Sequence, residues 1–362
     1  MSTFTKEDLK RFQAESLDEK IQRSFAKISE WYSRFSNEVY VSFSGGKDST
    51  VLADLCAKWC SIIGKPLYLV FVNTGLEYPE IQKHVKAFAD YLREKYGIEV
   101  VLEILRPKMR FDEVIKEYGY PMISKEVSKH CYQAGRGGQG SINAFDGKMY
   151  DGTESDWRTR FKKYKPLMSM DFSLSQKCCD VMKKNPVKEY EKQTGRKPLL
   201  ATMAQESEFR TKAWLKNGCN AFDAQRATSQ PMSFWTEQDV LRYIREKEIP
   251  IASVYGDVVY EEQPEQMRIE DYGIEAGGAD KLVTTGCTRT GCIFCGFGCH
   301  LDKSPSRFEM LKETHPRQYE YCISGGEYDE NGVWKPNKQG LGMGHVFDEL
   351  NKVYGEDFIK YK

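Results

Sequence analysis

Residues 39–49 read Val-Tyr-Val-Ser-Phe-Ser-Gly-Gly-Lys-Asp-Ser, and this stretch decides the fold. The first five residues favour a β-strand, and the two glycines allow the chain to turn closely around a ligand. A helix is predicted over residues 49–59, beginning beside this turn. The first N–H groups of such a helix attract phosphate, and Lys47 adds a positive charge. The spacing differs from G-x-x-x-x-G-K-[ST], which argues against a GTPase or a motor ATPase.

Strands and helices alternate outward from this loop. Residues 67–72 form a continuous apolar run, which is typical of a strand buried on both faces of a parallel sheet. The hydrophobic patterns predict further strands at 100–104 and 199–203 and helices at 79–96, 111–118 and 236–247. This alternation predicts an α/β fold with a doubly wound, mostly parallel sheet. Residues 5–36 are predicted to form an amphipathic helix, and the glycine-rich residues 135–157 a flexible loop or lid.

Composition limits the classes of partner. The chain has 362 residues, with 53 Lys and Arg against 53 Asp and Glu, so a nucleic-acid partner requires a local basic patch. Residues 158–165 (Arg-Thr-Arg-Phe-Lys-Lys-Tyr-Lys) have the composition of a polyanion-binding strip, although a solvated face is the favoured interpretation. No apolar run approaches the ~20 residues that cross a bilayer. We therefore expect no membrane association and, because we recognise no export signal, a cytoplasmic protein.

The eleven cysteines are expected to be reduced in the cytoplasm, which favours metal ligation over disulfides. Cys178 and Cys179 are adjacent, and a second group has the spacing Cys287-x4-Cys292-x2-Cys295-x3-Cys299. Spacing alone leaves open a local four-thiolate site for zinc or an iron–sulfur cluster, formed by Cys287, Cys292, Cys295 and Cys299 with His300 in reserve. The composition shift predicts three parts, namely an N-terminal helical segment (1–36), a nucleotide-binding domain (37–250) and a Cys-rich metal-binding module (251–362).

Residues 44–49 resemble the phosphate loop (PP-loop) of the N-type ATP pyrophosphatases. Three further motifs resemble the phosphoadenosine phosphosulfate (PAPS) reductase-like branch of that superfamily: Phe-Val-Asn-Thr-Gly-Leu-Glu-Tyr-Pro-Glu (71–80), Ala-Gln-Glu-Ser-Glu-Phe-Arg (204–210) and Pro-Met-Ser-Phe-Trp-Thr-Glu-Gln-Asp-Val (231–240). The resemblance covers residues 39–300 and implies an adenine-nucleotide α-hydrolase-like fold. It also implies a site for ATP at the following residues: Ser44, Gly45, Gly46, Lys47, Asp48, Ser49, Asn73, Thr74, Gly75, Glu77, Glu206 and Ser207. Lys47, Asp48 and Arg210 are the implied catalytic residues, and Asp48 helps to place Mg²⁺.

The cysteine pair together with the C-x-x-C motif resembles the iron–sulfur site of adenylyl-sulfate reductases. This resemblance implies that one [4Fe–4S] cluster is held by Cys178, Cys179, Cys292 and Cys295. Zinc is the alternative metal.

Two departures from the reductases guide the functional hypothesis. The sulfonucleotide reductases usually have a degenerate phosphate loop, whereas this chain keeps the Gly-Gly-Lys-Asp run. Those reductases also carry a catalytic cysteine in a short C-terminal motif, whereas residues 355–362 contain no cysteine. Both favour an enzyme that cleaves ATP to AMP and pyrophosphate and activates an acceptor, for sulfur transfer to a nucleic acid or a small molecule. A sulfur-donor protein or a thiol reductant would be its partner. The alternatives are a thiol-dependent adenylyl-sulfate or phosphoadenylyl-sulfate reductase and a non-catalytic nucleotide-binding regulator.

Overall fold

A computed structural model describes residues 4–261 and 281–362. The α-helices are α1 (Lys6–Gln13), α2 (Leu17–Arg34), α3 (Lys47–Ile63), α4 (Pro79–Tyr96), α5 (Phe111–Tyr118), α6 (Lys125–Ala134), α7 (Gln139–Phe145), α8 (Lys177–Cys179), α9 (Asn185–Thr194), α10 (Glu208–Asn217), α11 (Glu237–Glu246), α12 (Arg307–Thr314), α13 (Pro316–Ile323) and α14 (Met343–Tyr354). The strands are β1 (Val39–Ser42), β2 (Leu67–Val72), β3 (Val100–Leu105), β4 (Met122–Ile123), β5 (Lys197–Leu199), β6 (Asn220–Ala221), β7 (Thr228–Ser229), β8 (Val258–Tyr260), β9 (Leu282–Thr284), β10 (Gly296–Phe297), β11 (Glu327–Tyr328) and β12 (Trp334–Lys335).

The chain forms two compact units, each built from separate segments. The first unit contains Met1–Asn73, Glu77–Leu105 and Lys188–Thr290, and the second contains Thr74–Leu76, Arg106–Val187 and Gly291–Lys362. These units differ from the boundaries drawn from composition, because residues 106–187 group with the C-terminal segment. The composition shift marks where cysteines become frequent, whereas the units reflect which segments pack together.

A six-stranded sheet forms the centre of the first unit. Its order is β3-β2-β1-β5-β7-β6, and every neighbouring pair is parallel except β7 with β6. The longest ladder pairs β2 with β3 over six residues, from Leu67 opposite Val100 to Val72 opposite Leu105. The prediction of an α/β fold with a mostly parallel sheet is confirmed. Parallel pairing brings the carboxyl ends of β1, β2 and β5 to one edge, where open α/β sheets bind ligands.

Helix α3 is nearly surrounded by the core of the first unit. Val51, Leu52 and Leu55 on this helix are completely buried, and Trp31 of α2 is completely buried in the same core. Burial on several faces explains why α3 carries few charges along its length. It also fixes the position of the first turn of α3, which follows β1 directly.

The second unit combines short strands with helices. β4 and β10 pair in parallel, with Met122 opposite Gly296, and β11 and β12 form an antiparallel pair. Among its buried residues, Phe308 of α12 and Phe347 of α14 are in ring contact at 4.8 Å. The pairing of β4 with β10 is important for the cysteines, since β10 follows Cys295 immediately.

Three predicted elements differ in the structure. Residues 5–36 form two helices, because Ser16 and Glu19 make a capping box that begins α2. The strand predicted at 199–203 is β5, Lys197–Leu199, which pairs with β1. The loop prediction is wrong for α7, whose Ala144 and Phe145 are buried, and for the 3₁₀ segment Asp156–Ser169, which begins within the predicted range.

Across residues 4–261 and 281–362, none of the helices combines the length and the apolar composition that a bilayer crossing requires.

A buried ion pair links two helices of the first unit, and it yields a stability prediction. Lys20 Nζ lies 2.8 Å from Asp239 Oδ2, and the two side chains are 2% and 5% exposed. We expect Lys20→Met to lower the free energy of unfolding by about 3 kcal/mol, because Asp239 would remain as a buried, unpaired charge. Lys27→Met on the same helix removes the exposed pair with Glu30 and should cost less than about 0.5 kcal/mol. Equal urea midpoints for the two variants would contradict this.

Candidate functional site

The loop between β1 and α3 is shaped by its two glycines. Gly45 has a φ of +74°, and a Cβ atom there would lie 2.8 Å from the side chains of both Ile81 and Val85. Gly46 is the N-cap residue of α3 and supplies no side-chain cap. Apart from the Lys47 N–H group, which donates to Tyr255 Oη, the first turn of α3 therefore offers its N–H groups to an anion, as at other helix N-termini that bind phosphate.

Two serines fix the path of the same loop. The Ser44 N–H group donates to Ser49 Oγ at 3.2 Å, and the two hydroxyls lie 3.0 Å apart. Ser49 Oγ in turn donates to the Gly46 carbonyl at 2.9 Å. Because Ser49 gives its proton to Gly46, Ser44 is the donor in the hydroxyl pair, and the exposed Ser44 hydroxyl would have to exchange this bond for one to a ligand.

Lys47 is the buried cation of the site. Its side chain is 4% exposed, and Nζ lies 3.4 Å from Asp48 Oδ1 and 3.2 Å from Glu237 Oε1. Burial is the largest influence on Lys47 and lowers its pKa, but Asp48 and Glu237 outweigh it and the pKa lies above its ordinary value. Lys47 is therefore charged at neutral pH, and a bound phosphate would compete with the two carboxylates for it.

Asp48 lies among like charges. Burial is the main cause that raises its pKa, and Glu206 and Glu237 raise it further, while Lys47 opposes them. Asp48, Glu206 and Glu237 thus interact beside two cations, Lys47 and Arg210, and leave an excess of one negative charge that a further cation would relieve. Within the part of the chain that the structure describes, no group of three or more His, Cys, Asp or Glu side chains forms a closed metal site. Mg²⁺ does not require one, because it is commonly held by one or two carboxylates together with substrate phosphates.

The segment after β5 contains the motif Ala-Gln-Glu-Ser-Glu-Phe-Arg (204–210), which supplies three further candidate site residues of the first unit, Glu206, Ser207 and Arg210. Glu206 accepts from the Met203 N–H group at 2.8 Å and forms an ion pair with Arg210. Ser207 caps α10 by accepting from the Arg210 N–H group at 3.3 Å. Arg210 is partly exposed and bound to Glu206, so its guanidinium would have to exchange this carboxylate for an anionic ligand.

The motif after β2 divides between the two units. Asn73 follows β2 in the first unit, where its N–H group donates to the Leu105 carbonyl at 2.9 Å, and Glu77 belongs to the same unit. Thr74 and Gly75 belong to the second unit. There the Leu76 N–H group donates to Thr74 Oγ1 at 3.2 Å, and Gly75 adopts a φ of +75°.

Sequence reasoning missed two hydroxyls above the phosphate loop. Tyr255 Oη accepts the Lys47 N–H group at 3.2 Å and lies 2.7 Å from Thr290 Oγ1. A Cβ atom on Gly46 would lie 3.2 Å from both oxygens. No motif marks either residue, because the chain brings them to the loop from more than 200 residues away. Glu237 lies in a motif that was recognised without a role being assigned to it.

Four cysteines of the second unit line one cavity. Cys178 and Cys179 come from α8 and Cys292 and Cys295 from the segment before β10, and the cavity is completed by Leu76, Phe111, Pro121, Met182 and Lys183. β10 is held tightly, since a Cβ atom on Gly296 would meet the Pro121 carbonyl at 2.6 Å. The structure therefore brings together the four cysteines that the resemblance implies.

A hydrogen bond between Cys178 and Cys179 shifts the pKa values of the two thiols in opposite directions. The hydrogen bond from Cys178 is the main cause that lowers the pKa of Cys179, and Lys125, Lys183 and Lys184 add to it, while burial opposes them. The same hydrogen bond is the main cause that raises the pKa of Cys178, followed by burial. One thiolate is thus favoured in the pair. Thiolates in an apolar cavity are the donor set that iron–sulfur clusters and zinc use. Among the described residues, however, no three of these thiols are arranged closely enough to form a metal site in this structure.

The rival set of four local cysteines is divided between the units. Cys287 belongs to the first unit, where burial raises the pKa of its thiol to about 11 and Lys47 opposes that shift. Cys299 belongs to the second unit and is 3% exposed, and its pKa is raised to about 12, chiefly by burial. His300 stacks on Phe358 at 5.1 Å. Neither Cys287, Cys299 nor His300 lines the cavity of the other four thiols.

Arg307 braces the segment that carries Cys295. Its guanidinium donates to the Cys295 carbonyl at 3.1 Å and the Phe297 carbonyl at 2.9 Å, and its other nitrogens bind both oxygens of Asp302. This fork fixes the backbone between Cys295 and Asp302. Sequence reasoning gave no signal for it.

Comparisons with known proteins agree with the sequence motifs. A family profile described as the phosphoadenosine phosphosulfate reductase domain matches residues 38–134 and 144–296, which is more than half of the chain. MJ0066, an uncharacterized protein of Methanocaldococcus jannaschii, is 39% identical over 94 residues, 26% of this chain and 18% of that protein. MJ0973, another uncharacterized protein of that organism, is 32% identical over 118 residues, 32% of this chain and 26% of that protein. The matches thus span about a fifth and a quarter of these relatives.

One solved structure with a related outline is NMN synthetase from Francisella tularensis. The match has a TM-score of 0.33 and 14% sequence identity, and it covers 72% of this chain and 82% of that chain. A similarity at this level carries no argument about this protein.

The charge sharing in the cysteine pair predicts which thiol reacts first. In reduced, metal-free protein we expect iodoacetamide to label Cys179 faster than Cys131, whose pKa is raised to about 12 by burial. The labelling rate of Cys179 should reach half its maximum below pH 8.5, the ordinary value for a thiol. Cys178→Ala removes the hydrogen-bond donor and should move this midpoint upward. Peptide mass spectrometry across pH measures both, and an unchanged midpoint would count against the shared proton.

Proposed function

This chain belongs to the phosphoadenosine phosphosulfate reductase domain family, and from that premise we propose that it is an enzyme that cleaves ATP to AMP and pyrophosphate while activating an acceptor. Members of this family contain the PP-loop nucleotide-binding domain, and the loop at residues 44–49 keeps every polar group that an ATP-binding loop needs. The observation that carries the proposal is the buried Lys47 ammonium beside the uncapped first turn of α3. A buried lysine between two carboxylates and a helix N-terminus has no packing role that methionine would not fulfil at lower cost.

The proposed reaction is a transfer of the adenylyl group. A nucleophilic oxygen or nitrogen of the acceptor attacks the α-phosphorus of ATP and loses its proton to solvent or a base. The bond between the α-phosphorus and the bridging oxygen breaks, and pyrophosphate leaves with the electron pair. A sulfur nucleophile from the donor then attacks the activated atom of the acceptor, and AMP leaves with the electron pair of its bond to that atom. Because charge builds up on the leaving pyrophosphate, the N-terminus of α3 and Lys47 stabilise the transition state more than the substrate.

Each neighbouring residue has a role in this scheme. Gly45 and Gly46 allow the backbone to approach the phosphates, Ser49 maintains the loop, and Ser44 and Tyr255 donate hydroxyl protons to phosphate oxygens. Asp48, with Glu206 and Glu237 nearby, would hold Mg²⁺, which neutralises charge on the phosphates when bound. Arg210 would leave Glu206 to bind the reacting anion. Asn73, Thr74, Gly75, Glu77 and Ser207 are proposed to contact the rest of the nucleotide.

The four-cysteine cavity is proposed to hold a [4Fe–4S] cluster, with zinc as the alternative. Its thiols, apolar walls and flanking lysines support this proposal, since a thiolate-ligated cluster carries negative charge. When bound, the cluster would supply a redox-active or sulfur-handling centre for transfer of sulfur to the activated acceptor. Cys178, Cys179, Cys292 and Cys295 would orient it, and Arg307 would keep the Cys295 segment in place. The sulfur itself would come from a donor protein or a thiol.

Reduction of a sulfonucleotide is the second candidate. The family profile and the four converging thiols favour it, whereas the complete phosphate loop favours ATP. Incubating anaerobically purified protein with ATP and with adenylyl sulfate in parallel separates the two. AMP and pyrophosphate from ATP alone, identified by mass, would support the first proposal, and sulfite from adenylyl sulfate with no use of ATP would overturn it.

Removal of the buried charge should weaken ATP binding. We expect Lys47→Ala to lower the affinity for ATP about tenfold to a hundredfold, the range for loss of a charge-assisted hydrogen bond. Lys65→Ala, an exposed lysine of the same unit, is the matched control and should bind as the unaltered protein does. Calorimetry measures both, with unfolding midpoints to verify the fold. Equal ATP affinity in the two variants would remove the basis for the proposal.

The metal proposal predicts a pattern of iron contents. Cys179→Ser, Cys292→Ser and Cys295→Ser should lose iron and sulfide, because each removes one thiolate of the cavity, while Cys287→Ser and Cys299→Ser should retain them. Metal analysis of anaerobically isolated protein decides it, and the unaltered protein should be brown, with absorbance near ~400 nm. Full iron in Cys179→Ser would defeat the ligand assignment, and equimolar zinc without iron would favour the alternative metal.

A further inference from the structure

A basic and aromatic strip on the second unit has no part in the proposed chemistry. We define the Trp157 strip by Tyr150 together with these residues of the 3₁₀ segment Asp156–Ser169: Trp157, Arg160, Lys162, Lys163 and Lys165. Trp157 is 58% exposed and Tyr150 is 67% exposed. Large aromatic rings are usually covered in a folded protein because their burial is favourable, so two that remain exposed in a lysine-rich segment point to a binding surface.

The charge of this region is also uneven. Residues 106–187 contain sixteen Lys and Arg against ten Asp and Glu, whereas the whole chain contains 53 of each. The positive excess of six is therefore balanced by a negative excess elsewhere in the chain. Around the strip itself, residues 146–165 contain six Lys and Arg against four Asp and Glu, a local excess of two positive charges that has the sign needed to attract a polyanion.

An arginine guanidinium stacks on each of the two exposed rings. The Arg160 guanidinium lies 4.0 Å from the centre of the Trp157 ring, and the buried Arg158 lies 4.4 Å from that of Tyr150. Arg158 also donates to the carbonyls of Gly140 and Lys148, at 3.2 and 3.0 Å. These contacts restrict the rings before any ligand arrives, and less entropy is lost on binding.

Two ion pairs within the strip do not cancel its charge. Arg160 binds Glu126 at 2.9 Å, and Lys165 binds Asp146 at 2.7 Å, both on the exposed surface where such pairs are weak. Lys162 and Lys163 are exposed and adjacent. A face that only contacts solvent accounts for the exposed lysines, but it does not account for the exposed aromatic rings.

We propose that the Trp157 strip binds single-stranded nucleic acid, with bases stacked on Trp157 and Tyr150 and phosphates contacting Lys162 and Lys163. Exposed aromatic rings alternating with cations are the usual means by which proteins hold single strands without base-specific hydrogen bonds. Binding at the strip is independent of the chemistry at the phosphate loop. Only the further step, that this nucleic acid is the acceptor, rests on the proposed function.

The test uses fluorescein-labelled twelve-nucleotide oligo(dT) and oligo(U) with the full chain, without ATP, and measures anisotropy from about 50 to 200 mM salt. We expect Trp157→Ala to weaken binding about tenfold and Trp157→Phe to retain most of the affinity, because phenylalanine still stacks. The double variant Lys162→Glu with Lys163→Glu should reduce the salt slope by about 1.4, the value for two phosphate contacts on a single strand.

The matched control is Lys83→Glu with Lys86→Glu on α4 of the first unit, which makes the same change in net charge at two exposed lysines. It should bind oligonucleotide as the unaltered protein does. Equal losses in the two double variants with no effect of Trp157→Ala would overturn the proposal in favour of diffuse attraction. So would equal affinity for polyglutamate, which would indicate an acidic protein partner, or no binding in the micromolar range.

The same variants separate this inference from the proposed function. ATP binding by calorimetry should be unchanged in the strip variants, since none of these residues lies in the phosphate loop. Oligonucleotide binding without any ATP cleavage would support the strip proposal and overturn the proposed function. ATP cleavage, together with normal nucleic-acid binding by the strip variants, would support the proposed function and overturn the strip proposal.

Discussion

The close approach of Gly45 to α4 is the constraint on which the candidate site depends. The backbone turns there with a positive φ and with less than the width of a methyl group between it and Ile81 and Val85. Any other residue would push the loop away from α4 and tilt the start of α3. The buried position of Lys47 and the direction of the first turn of α3 follow from that turn, and Tyr255 contacts the same first turn through the Lys47 N–H group.

The sequence predicted those helices, strands and turns whose conformation depends on residues close together in the chain. Helix α5 was predicted at its observed bounds, and the apolar run of β2 identified a strand buried on both faces. The strand and the two glycines before α3 likewise specify their own conformation. The N-terminal segment shows the limit, since its helical periodicity continues through Ser16 although that residue begins a new helix. Hydrophobic periodicity indicates which face of a helix is buried. It does not indicate where one helix ends and the next begins when both bury the same face.

Residues that act by meeting from distant positions could not be predicted in the same way. Tyr255 and Thr290 reach the loop through the tertiary fold, and a single sequence contains no spacing that joins them to Lys47. The cysteines are an intermediate case. Spacing alone pointed to the local run Cys287, Cys292, Cys295 and Cys299, whereas the resemblance to reductases named the four that line one cavity.

The division of the chain into interleaved units has a consequence for synthesis on the ribosome. β1 pairs with β5, yet residues 106–187, which belong to the second unit, emerge between them. Until residue 199 has left the exit tunnel, one edge of β1 has no partner strand and remains open to pairing with another chain. The second unit is in turn incomplete until Gly291–Lys362 follows. The first unit is complete only at Thr290 and the second only at Lys362, so a fragment ending at residue 250 leaves both unfinished and should be prone to aggregate.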